Sequence, residues 1–138
     1  MLFEVTPPVS PISRIPPKTI KTMFQIDEER ALLALDGNRI LLMELASMFK
    51  EDAPQLLCNI KAAVANESAT HTRSAIHSLK GLVATFYAQP TFELANRLED
   101  SAANGQLEMF HLGELEKLEK AIESVIEEFV DRGWIAES

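Results

Sequence analysis

From Asp27 to Arg132 the apolar residues recur three or four apart, and no stretch alternates apolar with polar as a half-buried strand would. That property confines the chain to an all-α fold. A short first helix is expected over 27–35, with Asp27, Glu28 and Glu29 in its positive first turn. Gly37 is its left-handed stop and Asn38 the cap of the second helix. That helix spans 39–65, with Leu42, Leu45, Phe49, Ala53, Leu56, Ile60 and Val64 as its buried stripe. Pro54 removes a hydrogen bond inside that run and is expected to bend or split it. Leu41, Met43 and Met48 lie off the stripe; the short first helix could cover part of this surplus, and the uncovered remainder is a candidate docking surface.

A third helix is expected over 69–87. Pro90 opens a fourth over 90–103, with Phe92, Leu94, Ala95 and Leu98 apolar and Asn104-Gly105 as its end. The fifth, over 110–132, carries Leu115, Leu118, Ile122, Val125, Ile126 and Phe129 on one side. Glu114, Lys117, Lys120, Glu123, Glu127 and Glu128 stand opposite as a solvated face, and Gly133 stops the helix. The expected architecture is an antiparallel four-helix bundle with the short first helix across one end.

Five of the seven prolines (Pro7, Pro8, Pro11, Pro16 and Pro17) fall in residues 1–22, which therefore read as an extended linker or tail. The alternative is an arm packed on the domain through Ile12, Ile15 or Ile20. The domain proper is expected over 23–138. A net charge of -8 argues against a general nucleic-acid binder. No run approaches a membrane span and no signal-peptide pattern opens the chain, so a cytoplasmic monomer is expected. The one cysteine, Cys58, excludes an internal disulfide and reads as a core or boundary residue.

The chemistry concentrates on the third helix. One stripe carries Ile76, Leu79, Val83 and Phe86, all apolar. The stripe beside it carries Arg73, His77, Lys80, Gly81, Ala84 and Ala88. An imidazole thus lies at the solvent boundary, with a cation one turn on and little bulk next to it. Gly81 costs roughly 1 kcal/mol against alanine inside a helix, so a local reason for it is expected. Tight helix packing is one such reason, and access for a partner is another. His71 is six residues from His77, and His111 lacks a lysine-glycine sequel. Both read as incidental.

Through Ala75-Ile76-His77-Ser78-Leu79-Lys80-Gly81 the chain resembles a histidine-containing phosphotransfer (Hpt) domain of multistep two-component signalling. The resemblance begins with Phe49, Asp52 and Pro54. It continues through Ala88, Leu94, the pair Leu98-Glu99 and Gly105, covering about 27–131. One departure is Tyr87, where the family usually has glycine.

The resemblance implies that His77 accepts a phosphoryl group from a receiver-domain aspartate and passes it to another. A neutral imidazole keeps a lone pair for this attack. Lys80 would neutralise charge on the transferring group. Receivers would dock over Gly81, Ala84, Ala88 and Arg73, with Leu45 and Met48 from the second helix. The chain would need no cofactor of its own, since the receiver supplies Mg2+. It would have no ATP-dependent kinase activity, and it could be a small stand-alone protein or the C-terminal piece of a hybrid sensor kinase. Two alternatives compete. A helical docking module would carry no phosphoryl group. The phosphoacceptor domain of a sensor kinase usually has an acidic residue after its histidine, where this chain has Ser78.

Overall fold

The computed structural model describes residues 25–136, so the proline-rich stretch 1–22 and its three isoleucines lie outside the described residues. Among the described residues five α-helices come one after another: α1 Glu28–Ala34, α2 Arg39–Ala65, α3 Ala69–Thr85, α4 Gln89–Ala103 and α5 Leu115–Asp131. Among the described residues there is no strand. Short connections fold each helix back on the one before. Helix α2 packs on α3, α3 on α4, α4 on α5 and α5 on α2, which closes the bundle.

The helix starts follow from side-chain capping. The Asp27 carboxylate accepts from Arg30 N–H at 3.1 Å, and the Asn38 amide oxygen accepts from Leu41 N–H at 3.0 Å. Ser68 opens α3 in the same way, its Oγ accepting from His71 N–H. Helix α4 has no side-chain cap and relies on Pro90 in its first turn.

Pro54 does not split α2, which runs through it as one helix of 27 residues. Pro54 is exposed, while Phe49, Ala53, Leu57 and Ile60 stay buried on either side of it. Burial of that continuous stripe outweighs the local cost of the proline. The stripe is also rotated slightly from expectation: Ala46 and Leu57 are enclosed, whereas Leu45 and Leu56 are only half-buried.

The start of α5 departs further from the expected helix over 110–132. Phe110–Glu114 is a π-helical turn, kinked where Leu112 and Gly113 leave helical geometry, with Gly113 at φ 97°. A left-handed glycine inside the run breaks the hydrogen-bond ladder, and the regular helix begins only at Leu115.

The core at the α1 end is aromatic. Phe49 meets Phe86 and Phe129 edge-on, at centroid separations of 5.7 and 5.4 Å, and Trp134 stacks on Phe129 at 5.8 Å. Ile26 and Ala31 are buried against this core. Glu128, expected on the solvated face of α5, is instead 1% exposed. It accepts hydrogen bonds from the backbone N–H groups of Gln25 and Ile26, so the segment entering α1 is what encloses it.

Candidate functional site

Helix α3 presents the two stripes in the expected order. Ile76, Leu79, Val83 and Phe86 are buried, and the His77 side chain is 70% exposed. Arg73, Gly81 and Ala84 are exposed beside it. A methyl group at Gly81 would touch nothing within 4 Å. Tight internal packing therefore does not explain this glycine, and the space beside it is open to a partner.

Ala88 does not belong to that stripe. It is fully buried, a correction to its expected place on the docking face. Helix α3 ends at Thr85, and the chain turns at Tyr87, whose φ of 53° is left-handed. The turn carries Ala88 inward, where it becomes the N-cap position of α4. The backbone at Tyr87 thus keeps the conformation that favours glycine at this turn. The Arg30 guanidinium covers the Tyr87 ring at 5.9 Å, and Asp27 N–H donates to Phe86 C=O at 3.1 Å, tying α1 to the same corner. On α2, Met48 is 53% exposed, and Leu45 is half-buried against the core.

The cluster around His77 is completed from α4 by Glu99, a residue that the pattern of α3 alone does not point to. It belongs to the inner stripe with Ala95, Leu98 and Ala102, and it is 7% exposed. His77 Nδ1 lies 2.9 Å from Glu99 Oε2, and Lys80 Nζ lies 2.6 Å from Glu99 Oε1. Lys80 also donates to Asn96 Oδ1 at 3.0 Å and passes over the Phe92 ring at 5.7 Å. Burial disfavours the charged carboxylate. The hydrogen bonds and charges of Lys80 and His77 outweigh it and hold Glu99 below the usual carboxylate range. The signal that could have found Glu99 was a carboxylate on the apolar face of an amphipathic helix.

An ionised carboxylate can only accept, so Nδ1 carries the shared proton and donates it to Glu99. In that tautomer Nε2 keeps its lone pair, and the side chain that bears it is the exposed one. The other histidines show nothing comparable. His71 Nδ1 contacts Ser68 Oγ at 2.6 Å within the α3 cap, and exposed His111 sits in the kink before α5. Cys58 is exposed, contrary to its expected core or boundary position, because the stripe of α2 turns Leu57 inward in its place. Among the described residues no group of three or more His, Cys, Asp or Glu is arranged to hold a metal ion. No described helix is long and apolar enough to cross a membrane.

Comparison with curated proteins finds no match, and neither does comparison with solved structures. The family model of the Hpt domain matches residues 44–129, from α2 through the buried part of α5. That span takes in the exposed histidine, its buried glutamate and the lysine between them, and the chain belongs to the Hpt-domain family, the histidine phosphotransfer carriers of phosphorelays.

Proposed function

We propose that His77 is the phosphorylated residue and that the chain relays a phosphoryl group reversibly between receiver-domain aspartates. The observation that carries this reading is the exposed His77 ring with Nδ1 held by buried Glu99. The Nε2 lone pair attacks the phosphorus of an aspartyl phosphate. The new P–N bond forms as the P–O bond breaks, and the aspartate leaves as a carboxylate. The ring becomes cationic, with its Nδ1 proton facing the Glu99 carboxylate, which stabilises that charge where it develops.

Lys80 supplies a second, electrostatic contribution. It cancels the Glu99 charge and keeps the ring's surroundings from repelling an incoming phosphoryl group. The Mg2+ that neutralises the acyl phosphate comes from the receiver. Receivers dock over Gly81 and Ala84, with Arg73 at the rim and Met48 and Leu45 from α2. The domain works as a monomer in the cytoplasm, either alone or as part of a hybrid sensor kinase, and makes no use of ATP itself.

The test is incubation with phosphorylated receiver domains, scoring acid-labile phosphate on wild type and on His77→Gln. Wild type should take label and the variant none, with the helical spectrum of the two alike, since glutamine is a good helix former at an exposed position. Label on both would place the phosphoryl group on a residue other than His77, and label on neither with receivers still bound would favour a docking module that carries no phosphoryl group.

A further inference from the structure

A pocket of about 320 Å3 opens beside His77, lined by Thr70, Arg73, Ser74, Ser78 and Glu99 with His77 itself. Its α3 residues run from Thr70 to Ser78, and Lys80 is not among them. Side chains of an α-helix lean toward its N-terminus, so the His77 ring covers the turn that carries Arg73 and Ser74. Arg73 precedes His77 by four residues, which puts their Cβ atoms roughly 5–6 Å apart on one face.

The two cations flanking the ring differ in what they already hold. Lys80 is only 19% exposed, with its ammonium against Glu99 and Asn96. Arg73 is exposed, and among the described residues the ion pairs of this face run between His77, Lys80 and Glu99 without it. Lys80 offsets the one carboxylate of the pocket, so the Arg73 charge is left to face whatever occupies it. A guanidinium presents a planar fork of donors that matches two phosphoryl oxygens at once, and hydroxyls on the same wall add further donors.

We infer that the pocket seats the phosphoryl group carried on His77 Nε2 and that the Arg73 guanidinium binds its oxygens. This rests on His77 being the phosphoacceptor and adds a role that docking alone does not give Arg73. Lys80 and Arg73 then divide the work. Lys80 fixes and neutralises Glu99 beneath the ring, and Arg73 grips the group above it.

The experiment uses phosphoramidate, a donor too small to need a docking face. The His77 lone pair forms the new P–N bond as the bond to the departing ammonia breaks. Two readouts are followed on the whole chain: the rate of loading, and the Arg73 Nε–Hε resonance in 1H–15N spectra. That resonance is assigned by its absence from Arg73→Lys. Loading should move the resonance downfield and slow its exchange with water. Arg73→Gln should load roughly 5-fold more slowly, below the loss seen for a buried oxyanion donor, and Arg73→Lys should recover part of the rate. An unmoved resonance in loaded wild type, or equal loading of Arg73→Gln, overturns the inference. Failure of wild type to take label at His77 overturns the phosphocarrier reading itself and is seen before any variant is compared.

Discussion

Glu99 on α4 and Glu128 on α5 are both buried carboxylates of one bundle, 7% and 1% exposed, and their surroundings drive them in opposite directions. Glu99 has Lys80 and His77 as side-chain partners, which overcome its burial and keep it ionised. Glu128 accepts from two backbone N–H groups, with Arg132 Nη2 at 3.6 Å, yet burial still pushes its carboxyl above the ordinary range. Arg132 is shared, since it also pairs with Glu28 at 2.6 Å and lies over Trp134 at 5.5 Å. The difference separates two uses of an enclosed charge. At Glu99 the partners are a lysine and an exposed imidazole, so the carboxylate controls something that solvent and other proteins can reach. At Glu128 the partners are the peptide groups of Gln25 and Ile26, so the carboxylate fastens a segment of chain.

The separation of the two glutamates is put at risk first at Glu128. Glu128→Ala leaves two enclosed N–H groups without their acceptor and should cost about 3 kcal/mol in urea unfolding. Under conditions where the variant remains folded, phosphoryl transfer should be close to wild type. A large loss of transfer in fully folded Glu128→Ala would show that the two glutamates are not functionally separate.

Lys80→Ala strikes the other region. Loss of its charge should slow transfer by roughly 10- to 100-fold in rapid-quench measurements without removing His77 as the acceptor, less than a buried donor because the site is open. Glu99→Gln should be milder still. The amide can accept from Nδ1, but it no longer balances the cationic ring, and a slowing of about 10-fold is expected with about 1 kcal/mol or less lost in stability.

The pH dependence of stability divides the two carboxylates again. The folded-state pKa of Glu99 is lowered, so its contribution is present above the unfolded value and is lost as pH falls through the folded one. That of Glu128 is raised, so its contribution is full below the unfolded value and is lost as pH rises through the folded one. Urea midpoints across the acid range should therefore show the cost of Glu99→Gln shrinking on acidification and that of Glu128→Gln growing. Parallel slopes for the two variants would contradict the opposite shifts.

A smaller effect is expected at Gly81, where Gly81→Ala should raise stability by about 0.5–1 kcal/mol, since nothing within 4 Å opposes a methyl group. The same variant should transfer more slowly from a receiver while loading normally from phosphoramidate.

Much of the bundle was legible because helical period, caps and stops are local signals. Asn38 caps α2 as expected, and Ile76, Leu79 and Val83 are buried as their stripe requires. Illegible were the features decided by a second element. Glu128 shares its helical face with charged neighbours, and only the return of Gln25 and Ile26 over α5 encloses it. Ala88 continues the His77 stripe on paper, but the turn at Tyr87 takes it inward. The candidate site divides in the same way. His77, Lys80 and Gly81 could be read from one helix, whereas Glu99 reaches them from 22 residues away and needs α4 packed against α3.

If Nε2 of His77, held by Glu99, is where the phosphoryl group resides, its position can be read directly. The chain is loaded from a phosphorylated receiver and digested at neutral to mildly basic pH, and the acid-labile phosphate is located by mass spectrometry. Phosphate is expected on the peptide containing His77, bonded to Nε2, and none on the peptides containing His71 or His111. Phosphate on either of those histidines, or on Nδ1 of His77, would contradict this assignment.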